Sequence, residues 1–157
     1  MKHIAITFRK VNEKDLMAIS EIKSIVQEST YAISMPQKLL NKNYLVEKNR
    51  FLFLAEFKGT PIGYIHSKIE NNTGRIVSIF ILPEFQNKGI GKNLMSNSNE
   101  RFMRNNINYV DLNVVNFNKN AINFYKKWGY KIRKGEYKKE LSNGLIKIKM
   151  YCYLNKE

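Results

Sequence analysis

Residues 79–92, IFILPEFQNKGIGK, join a short apolar strand pattern to a glycine loop and the start of a helix. The backbone N–H groups at a helix start have no partner inside the helix. Gly89 and Gly91 would let that backbone approach an anion closely, and the helix dipole favours negative charge there. Lys88 and Lys92 add positive charge beside the glycines. The loop therefore predicts either an anion cradle or a plain tight turn.

Two common phosphate loops are excluded by their spacing. A Walker loop ending at Gly91-Lys92 would need glycine at position 86 and Ser or Thr at position 93, where the chain has Gln86 and Asn93. A dinucleotide fingerprint that starts at Gly89 would need glycine at position 94, which is Leu94. A phosphate site here would thus be of another kind.

Outward from the loop, hydrophobic periodicity predicts alternating strands and helices. Predicted strands cover residues 4–9, 50–58, 62–70, 75–82, 109–115, 130–140 and 145–154. Predicted helices run from a cap at Asn12 to about residue 27, from Ser34, from the glycine loop through residue 103, and over 119–128. A strand–helix–strand–helix order beside a meander predicts an α/β (α+β) fold: a mixed, mostly antiparallel twisted sheet of about six or seven strands with helices on both faces. With no linker or repeat, residues 1–157 are expected to form one domain.

Composition narrows the class of protein. Hydrophobic residues make up 43% of the 157 residues and charged residues 25%, which excludes a disordered or collagen-like chain. The apolar runs are too short to cross a bilayer, and no signal-peptide pattern is present, so a cytoplasmic location without a membrane partner is expected. One cysteine excludes an intramolecular disulfide, and two histidines argue against a zinc site, so no metal is predicted.

The chain is strongly basic: 27 Lys and Arg against 13 Asp and Glu give a net charge of +14. Such an excess favours an anionic partner, for which nucleic acid, a membrane surface or a phosphorylated small molecule would all serve. A coding bias toward Lys, Asn and Ile would give the same charge. Composition does not choose between these explanations.

Two segments together resemble one family. Residues 79–92 resemble the acetyl-CoA-binding motif of the GNAT (GCN-related) N-acetyltransferases, with its core Gln/Arg-x-x-Gly-x-Gly/Ala. Residues 118–130, NKNAINFYKKWGY, are similar to the family's second signature. The resemblance implies a splayed central pair of strands, acetyl-CoA as co-substrate, and direct transfer of acetyl to an amine in a ternary complex.

The resemblance also implies roles for single residues. The strand before the loop would pair its backbone with the pantetheine arm and polarise the thioester carbonyl, and the loop would bind the pyrophosphate. Asn118 would contact the cofactor, and Tyr125, two helical turns further on, would protonate the departing thiolate. The implied cofactor-binding residues are Ile79, Phe80, Ile81, Asn87, Lys88, Gly89, Ile90, Gly91, Lys92, Asn118 and Tyr125.

No general base is assigned. Some family branches carry a glutamate on the strand before the loop, but residues 75–82 contain no carboxylate, and the matching position on the next strand is Asn113. Asp111, Glu56 and His66 lie on this or neighbouring predicted strands and are interpreted as surface or structural groups. Cys152 has no histidine partner in view and is interpreted as a buried or edge thiol.

Several functions and acceptors stay open. Residues 29–37, including Tyr31, are expected over the acceptor cleft. The acceptor is a small amine, a polyamine, a protein N-terminus or a lysine, and the net charge favours acidic or nucleic-acid-associated acceptors. The alternatives are a basic nucleic-acid- or ribosome-binding domain, which lacks an RNA-binding signature here, or an inactive coenzyme A sensor. The protein is expected as a monomer or homodimer.

Overall fold

The computed structural model describes residues 5–32, 38–134, 139–140 and 144–154, and its strands form one sheet. The strands are β1 (Ile6–Lys10), β2 (Arg50–Phe57), β3 (Thr60–Glu70), β4 (Thr73–Ile81), β5 (Tyr109–Val115), β6 (Lys131–Ile132), β7 (Lys139–Glu140) and β8 (Ile146–Tyr153). The helices are α1 (Leu16–Tyr31), α2 (Ile90–Arg104) and α3 (Lys119–Lys127). Short 3-10 turns cover Glu13–Asp15, Lys42–Leu45 and Pro83–Phe85.

The sheet has the order β1-β2-β3-β4-β5-β8-β6, and β7 also pairs with β8. Every pair is antiparallel except β4 with β5, which is parallel. This confirms the predicted mixed, mostly antiparallel sheet. The predicted strand over 130–140 is strand only at its ends among the described residues, because the chain turns at Lys134 after Arg133 N–H bonds to Lys149. The predicted helix start at Ser34 lies outside the described residues.

Helix α1 runs further than predicted. Its entry is a capping box, in which Asn12 accepts from the N–H of Lys14 and Asp15 accepts from the N–H of Asn12 at 2.8 Å. The helix continues past residue 27 to Tyr31 and ends at Ala32, whose φ is 52°. Residues 28–30 are exposed and polar, so no apolar spacing marked this last turn.

Two apolar layers hold the sheet. One face, called the α1 face, packs Leu52, Leu54 and Tyr64 against α1. The other, called the α2 face, carries the larger cluster, in which β3, β4, β5 and β8 pack against α2 and α3. Its members with the least exposure include Ile65, Leu94, Met95, Phe102, Val110 and Met150.

The parallel pair in the centre of the sheet is short. Strands β4 and β5 pair only at Gly74 with Val110, Arg75 with Asp111 and Ile76 with Leu112. The register between β3 and β4 then slips, which leaves Val77 as an extra residue on β4. Beyond it, residues 77–81 of β4 and 113–115 of β5 have no ladder between them in the described chain. This gap, called the cleft below, is the predicted splay.

Candidate active site

The β4 side of the cleft is a free strand edge. Ile79 and Ile81 pack toward the α2 face, and Phe80 packs on the α1 face with its ring centroid 6.0 Å from that of Tyr64. The side chains are thus committed to the core. The backbone edge toward β5 has no ladder partner among the described residues, so its N–H and C=O groups are available to an extended ligand. The backbone role implied for residues 79–81 stays a prediction, and this free edge is where it would act.

The glycine loop follows directly from this strand. Gln86 Nε2 donates to the carbonyl of Ile81 at 2.9 Å, which ties the loop to the end of β4. Asn87 and Gly89 have positive φ, 61° and 81°, and Gly89 is the N-cap of α2 without a side-chain cap. Within the described residues no hydrogen bond occupies the N–H groups of residues 87–92. Free N–H groups at a helix start form an anion-binding geometry.

The two glycines serve different purposes. A Cβ on Gly91 would lie 3.2 Å from the ring of Phe124 and 3.3 Å from Cδ1 of Ile81, so this glycine lets α2 approach α3 and β4. A Cβ on Gly89 would meet nothing within 4 Å, but the positive φ favours glycine. The sequence interpretation gave both glycines to anion approach. For Gly91 the structure adds a second reason, because packing against Phe124 and Ile81 also requires a residue without a side chain.

Asn118 stands at the far side of the cleft. Its Oδ1 accepts from the N–H of Ala121 at 3.2 Å and caps α3, while its Nδ2 donates to the hydroxyl of Tyr31 at 3.2 Å. The Tyr31 ring meets Phe117 edge-on at 5.7 Å. Tyr31, predicted only by position to lie over the acceptor cleft, therefore bridges the end of α1 to the start of α3.

Tyr125 is buried between aromatic neighbours. Its ring lies 5.4 Å from Phe124 and 5.8 Å from Tyr130 between centroids. Burial raises the pKa of the Tyr125 hydroxyl well above its ordinary value, and the nearby Tyr31 raises it further. The hydroxyl remains protonated at neutral pH, as a proton donor requires.

A family comparison fits this geometry. The family model described as "Acetyltransferase (GNAT) family" matches residues 16–130. The chain belongs to the GNAT acetyltransferase family. An uncharacterized N-acetyltransferase of Methanocaldococcus jannaschii is 33% identical over 127 residues, which cover 80% of this chain and 78% of that protein. The spermidine N(1)-acetyltransferase of Thermoplasma acidophilum is 28% identical over 145 residues, 82% of this chain and 90% of the relative.

A solved structure supports the fold of this GNAT protein. The PaiA N-acetyltransferase from Thermoplasma acidophilum, solved in complex with coenzyme A, superposes with a TM-score of 0.75 over 92% of this chain and 98% of its own. Its sequence identity is 22%. At 22% sequence identity, the similarity between the two structures shows a shared fold only.

Each candidate general base of this GNAT chain contacts an arginine side chain. Arg75 donates to both carboxylate oxygens of Asp111, at 2.8 and 3.2 Å, and Arg9 Nε lies 3.3 Å from Glu56. Arg50 lies 3.1 Å from Nε2 of His66, and burial, followed by the charge of Arg50, lowers the pKa of His66 to about 4. These contacts agree with structural roles for all three groups.

The remaining features of the GNAT protein concern its cysteine thiol, its metal-ligating side chain types and the length of its helices. Cys152 is buried, with Sγ 3.7 Å from the carbonyl oxygen of Trp128, and burial raises the pKa of its thiol. In the part of the chain that the structure describes, no group of three or more His, Cys, Asp or Glu side chains is placed to hold a metal. No helix among the described residues is long and apolar enough to span a membrane.

Sequence reasoning missed one charged residue of the GNAT chain. Lys23 lies on the sheet side of α1, between the buried residues Ile19 and Val26, and is half-buried. Burial lowers the pKa of its ammonium group, and the charges of Lys147 and Lys38 lower it further. Its spacing, four residues after Ile19 and three before Val26, would have indicated its inward position.

Proposed function

We propose that this GNAT protein binds acetyl-CoA in the cleft and transfers its acetyl group directly to an amine in a ternary complex. The observation that carries the proposal is the continuity of the free β4 edge with the unpaired N–H groups of residues 87–92. An extended arm ending in a pyrophosphate needs these two features in this order. The coenzyme A complex of the structural neighbour supports the same choice of ligand. We further propose that residues 1–157 act as one acetyltransferase domain.

In this proposal each part of acetyl-CoA has its own contact. The pyrophosphate accepts from the backbone N–H groups of residues 87–92, with Lys88 and Lys92 adding charge from their exposed positions. The pantetheine arm pairs with the backbone of residues 79–81. A backbone N–H there faces the thioester carbonyl and stabilises the negative charge that develops on its oxygen. Asn118 contacts the arm from the opposite side of the cleft.

The transfer exchanges one bond for another. The neutral amine nitrogen attacks the carbonyl carbon, so that the new C–N bond forms and the C–S bond breaks. The amine nitrogen gives up a proton to solvent, and the coenzyme A thiolate takes one from the Tyr125 hydroxyl, which regains it from solvent. The Tyr125 hydroxyl is protonated at neutral pH and donates to the thiolate as the C–S bond breaks, although its raised pKa makes it a weaker acid than a free phenol.

Deprotonation of the amine is assigned to solvent. Asp111, Glu56 and His66 each have a cationic partner within 3.3 Å, and the low pKa of His66 makes it a weak base. Activity should therefore rise with pH and follow the pKa of the acceptor amine. An inflection between about pH 6 and 7.5 that disappears in His66→Gln, Glu56→Gln or Asp111→Asn would contradict this assignment.

The test is calorimetric titration with coenzyme A, together with thiol release from acetyl-CoA across a panel of amines. Gly89→Val should abolish coenzyme A binding by obstructing the pyrophosphate, whereas Lys88→Ala should weaken it modestly because the backbone supplies the bonds. Normal binding by Gly89→Val would refute the cradle. Steeply salt-dependent RNA binding without coenzyme A binding would favour a nucleic-acid-binding domain, and coenzyme A binding without thiol release would favour a sensor.

A further inference from the structure

Cations line the α1 face across the centre of the sheet. The pairing register sets Arg50 beside Lys68, Lys68 beside Arg75, and Arg75 beside Asp111, so one row runs across four strands. Residues in register share a face, and Arg50 lies two positions from Leu52, which packs under α1. The row therefore lies on the α1 face.

The row continues onto β8 with two more lysines. Asn113 pairs with Lys149, and Val115 pairs with Lys147, so both lysines share the face of Asp111. Lys149 Nζ lies 3.7 Å from Asp111, and Arg75 Nε lies 2.8 Å from it. One carboxylate thus stands between two cations. Arg50 and Lys68 are paired with Glu47 and Glu70, so five cations of this surface (Arg50, Lys68, Arg75, Lys147 and Lys149) face three carboxylates, which leaves net positive charge.

Lys23 projects onto this charged row from α1. It lies between Ile19 and Val26 on the side of α1 that packs on β3 and β4, and the charge of Lys147 on β8 acts on it. Among the described residues no carboxylate pairs with Lys23. A half-buried ammonium group without a counter-ion is costly unless a ligand supplies one.

The acceptor reaches the cleft on this face. On the opposite face α2 and α3 close over it, since Gly91, Phe124 and Ile81 are in close contact there. On the α1 face, Asn113 of β5 lies at the start of the cleft and is exposed. An amine that attacks a thioester held in the cleft therefore passes Lys23, Arg75 and Lys149.

We propose that the acceptor amine belongs to an acidic peptide or protein segment, whose Asp and Glu side chains pair with Lys23 and the Arg75–Lys149 pair. The inference rests on the proposed acetyl transfer and names its substrate class. A polyamine is disfavoured on this surface, because its own charges would meet these cations.

The test uses four acceptors with the full chain: three peptides with the same first residue, followed by four acidic, neutral or Arg residues, and spermidine. Thiol release gives kcat/KM, and mass spectrometry locates the acetyl group. We expect the acidic peptide to exceed the Arg peptide by about tenfold or more, with the advantage falling as salt is raised. Lys23→Gln should reduce the advantage several-fold, whereas Lys14→Gln, at an exposed position before α1, should preserve it.

Some contrary results would overturn only the acidic preference, whereas one would refute the proposed function itself. Spermidine or the Arg peptide as the best acceptor would overturn the acidic preference while leaving acetyl transfer intact. An acidic preference that is equal in Lys23→Gln and in the parent, or that is insensitive to salt, would also overturn it. Coenzyme A binding with no transfer to any of the four would do the same. Loss of coenzyme A binding, measured on the same samples, would instead refute the proposed function.

Discussion

Asn118 donates a hydrogen bond of 3.2 Å from its side-chain amide to the hydroxyl of Tyr31, 87 residues earlier in the chain. Helix α1 packs on β3 and β4, whereas α3 belongs to the cluster that includes β5 and β8. The bond therefore links the two halves of the sheet where no backbone ladder does.

Tyr31→Phe tests that link. The substitution keeps the edge-on contact with Phe117 but removes the acceptor of the Asn118 amide, so we expect stability to fall by about 0.5–1.5 kcal/mol. Urea unfolding followed by circular dichroism measures the change. Tyr153→Phe, at a position with 63% of its surface exposed, is the control and should stay within about 0.5 kcal/mol of the parent. Equal stability of the two variants would show that the bond contributes nothing.

Tyr125→Phe tests proton donation. The ring and its contacts with Phe124 and Tyr130 remain, so affinity for acetyl-CoA should change little. Turnover should fall by roughly 10²–10⁴-fold, the usual contribution of a general acid, unless water replaces the phenol. Calorimetry and thiol release on the same sample give both quantities. Unchanged turnover would remove Tyr125 from the mechanism, and lost affinity with normal turnover per bound cofactor would make it a packing residue.

Gly91→Val tests the packing role of this glycine. Its side chain would collide with the Phe124 ring, so we expect a loss of about 1–3 kcal/mol in unfolding free energy. Phe124→Leu in the same chain should recover part of the loss by making room. Gly89→Val should cost about 1–2 kcal/mol through its positive φ, and Phe124→Leu should not relieve it. Equal rescue of both variants would contradict the assignment.

His66 makes stability depend on pH. Its pKa falls from the ordinary 6.5 to about 4 in the folded protein, so the unfolded chain binds the proton more tightly. The stabilisation is complete above 6.5 and is lost as the pH falls toward 4, with about 2 kcal/mol gone by pH 5. Urea unfolding at about pH 7.5 and 5 measures this. His66→Gln should flatten the dependence, and an unchanged slope in that variant would assign it to other groups.

Local sequence patterns correctly predicted the strands and helices whose periodicity and end signals both lie within the segment itself. Strand β5 has the predicted bounds, because Val110, Leu112 and Val114 alternate with the polar residues Asp111 and Asn113. Helix α3 begins at the predicted residue, marked by its cap at Asn118, and ends one residue early.

Where the local sequence pattern gave a wrong prediction, tertiary packing was the reason. Gly74 falls between the strands predicted over residues 62–70 and 75–82, but it lies within β4, where a Cβ would come within 2.9 Å of the Phe102 ring. The glycine is present there to make room for an aromatic ring on α2. A sequence window contains no sign of a partner that lies so far along the chain.

The same limit applies to the candidate site. The glycine loop and Tyr125 were predicted because each lies within a contiguous sequence motif. The bond between Tyr31 and Asn118 and the cations around Lys23 depend on strand register and on where α1 crosses the sheet. Only the folded chain brings these residues together.

The short pairing of β4 with β5 also has a cost for colloidal stability. Residues 77–81 read VSIFI, an uncharged segment rich in β-branched and aromatic residues, and one edge of this strand lacks a partner within the described chain. Such an edge can recruit a strand from another molecule. If pantetheine covers it, the ligand also shields the protein from self-association. The ligand-free protein should then scatter more light on mild heating than a sample saturated with coenzyme A.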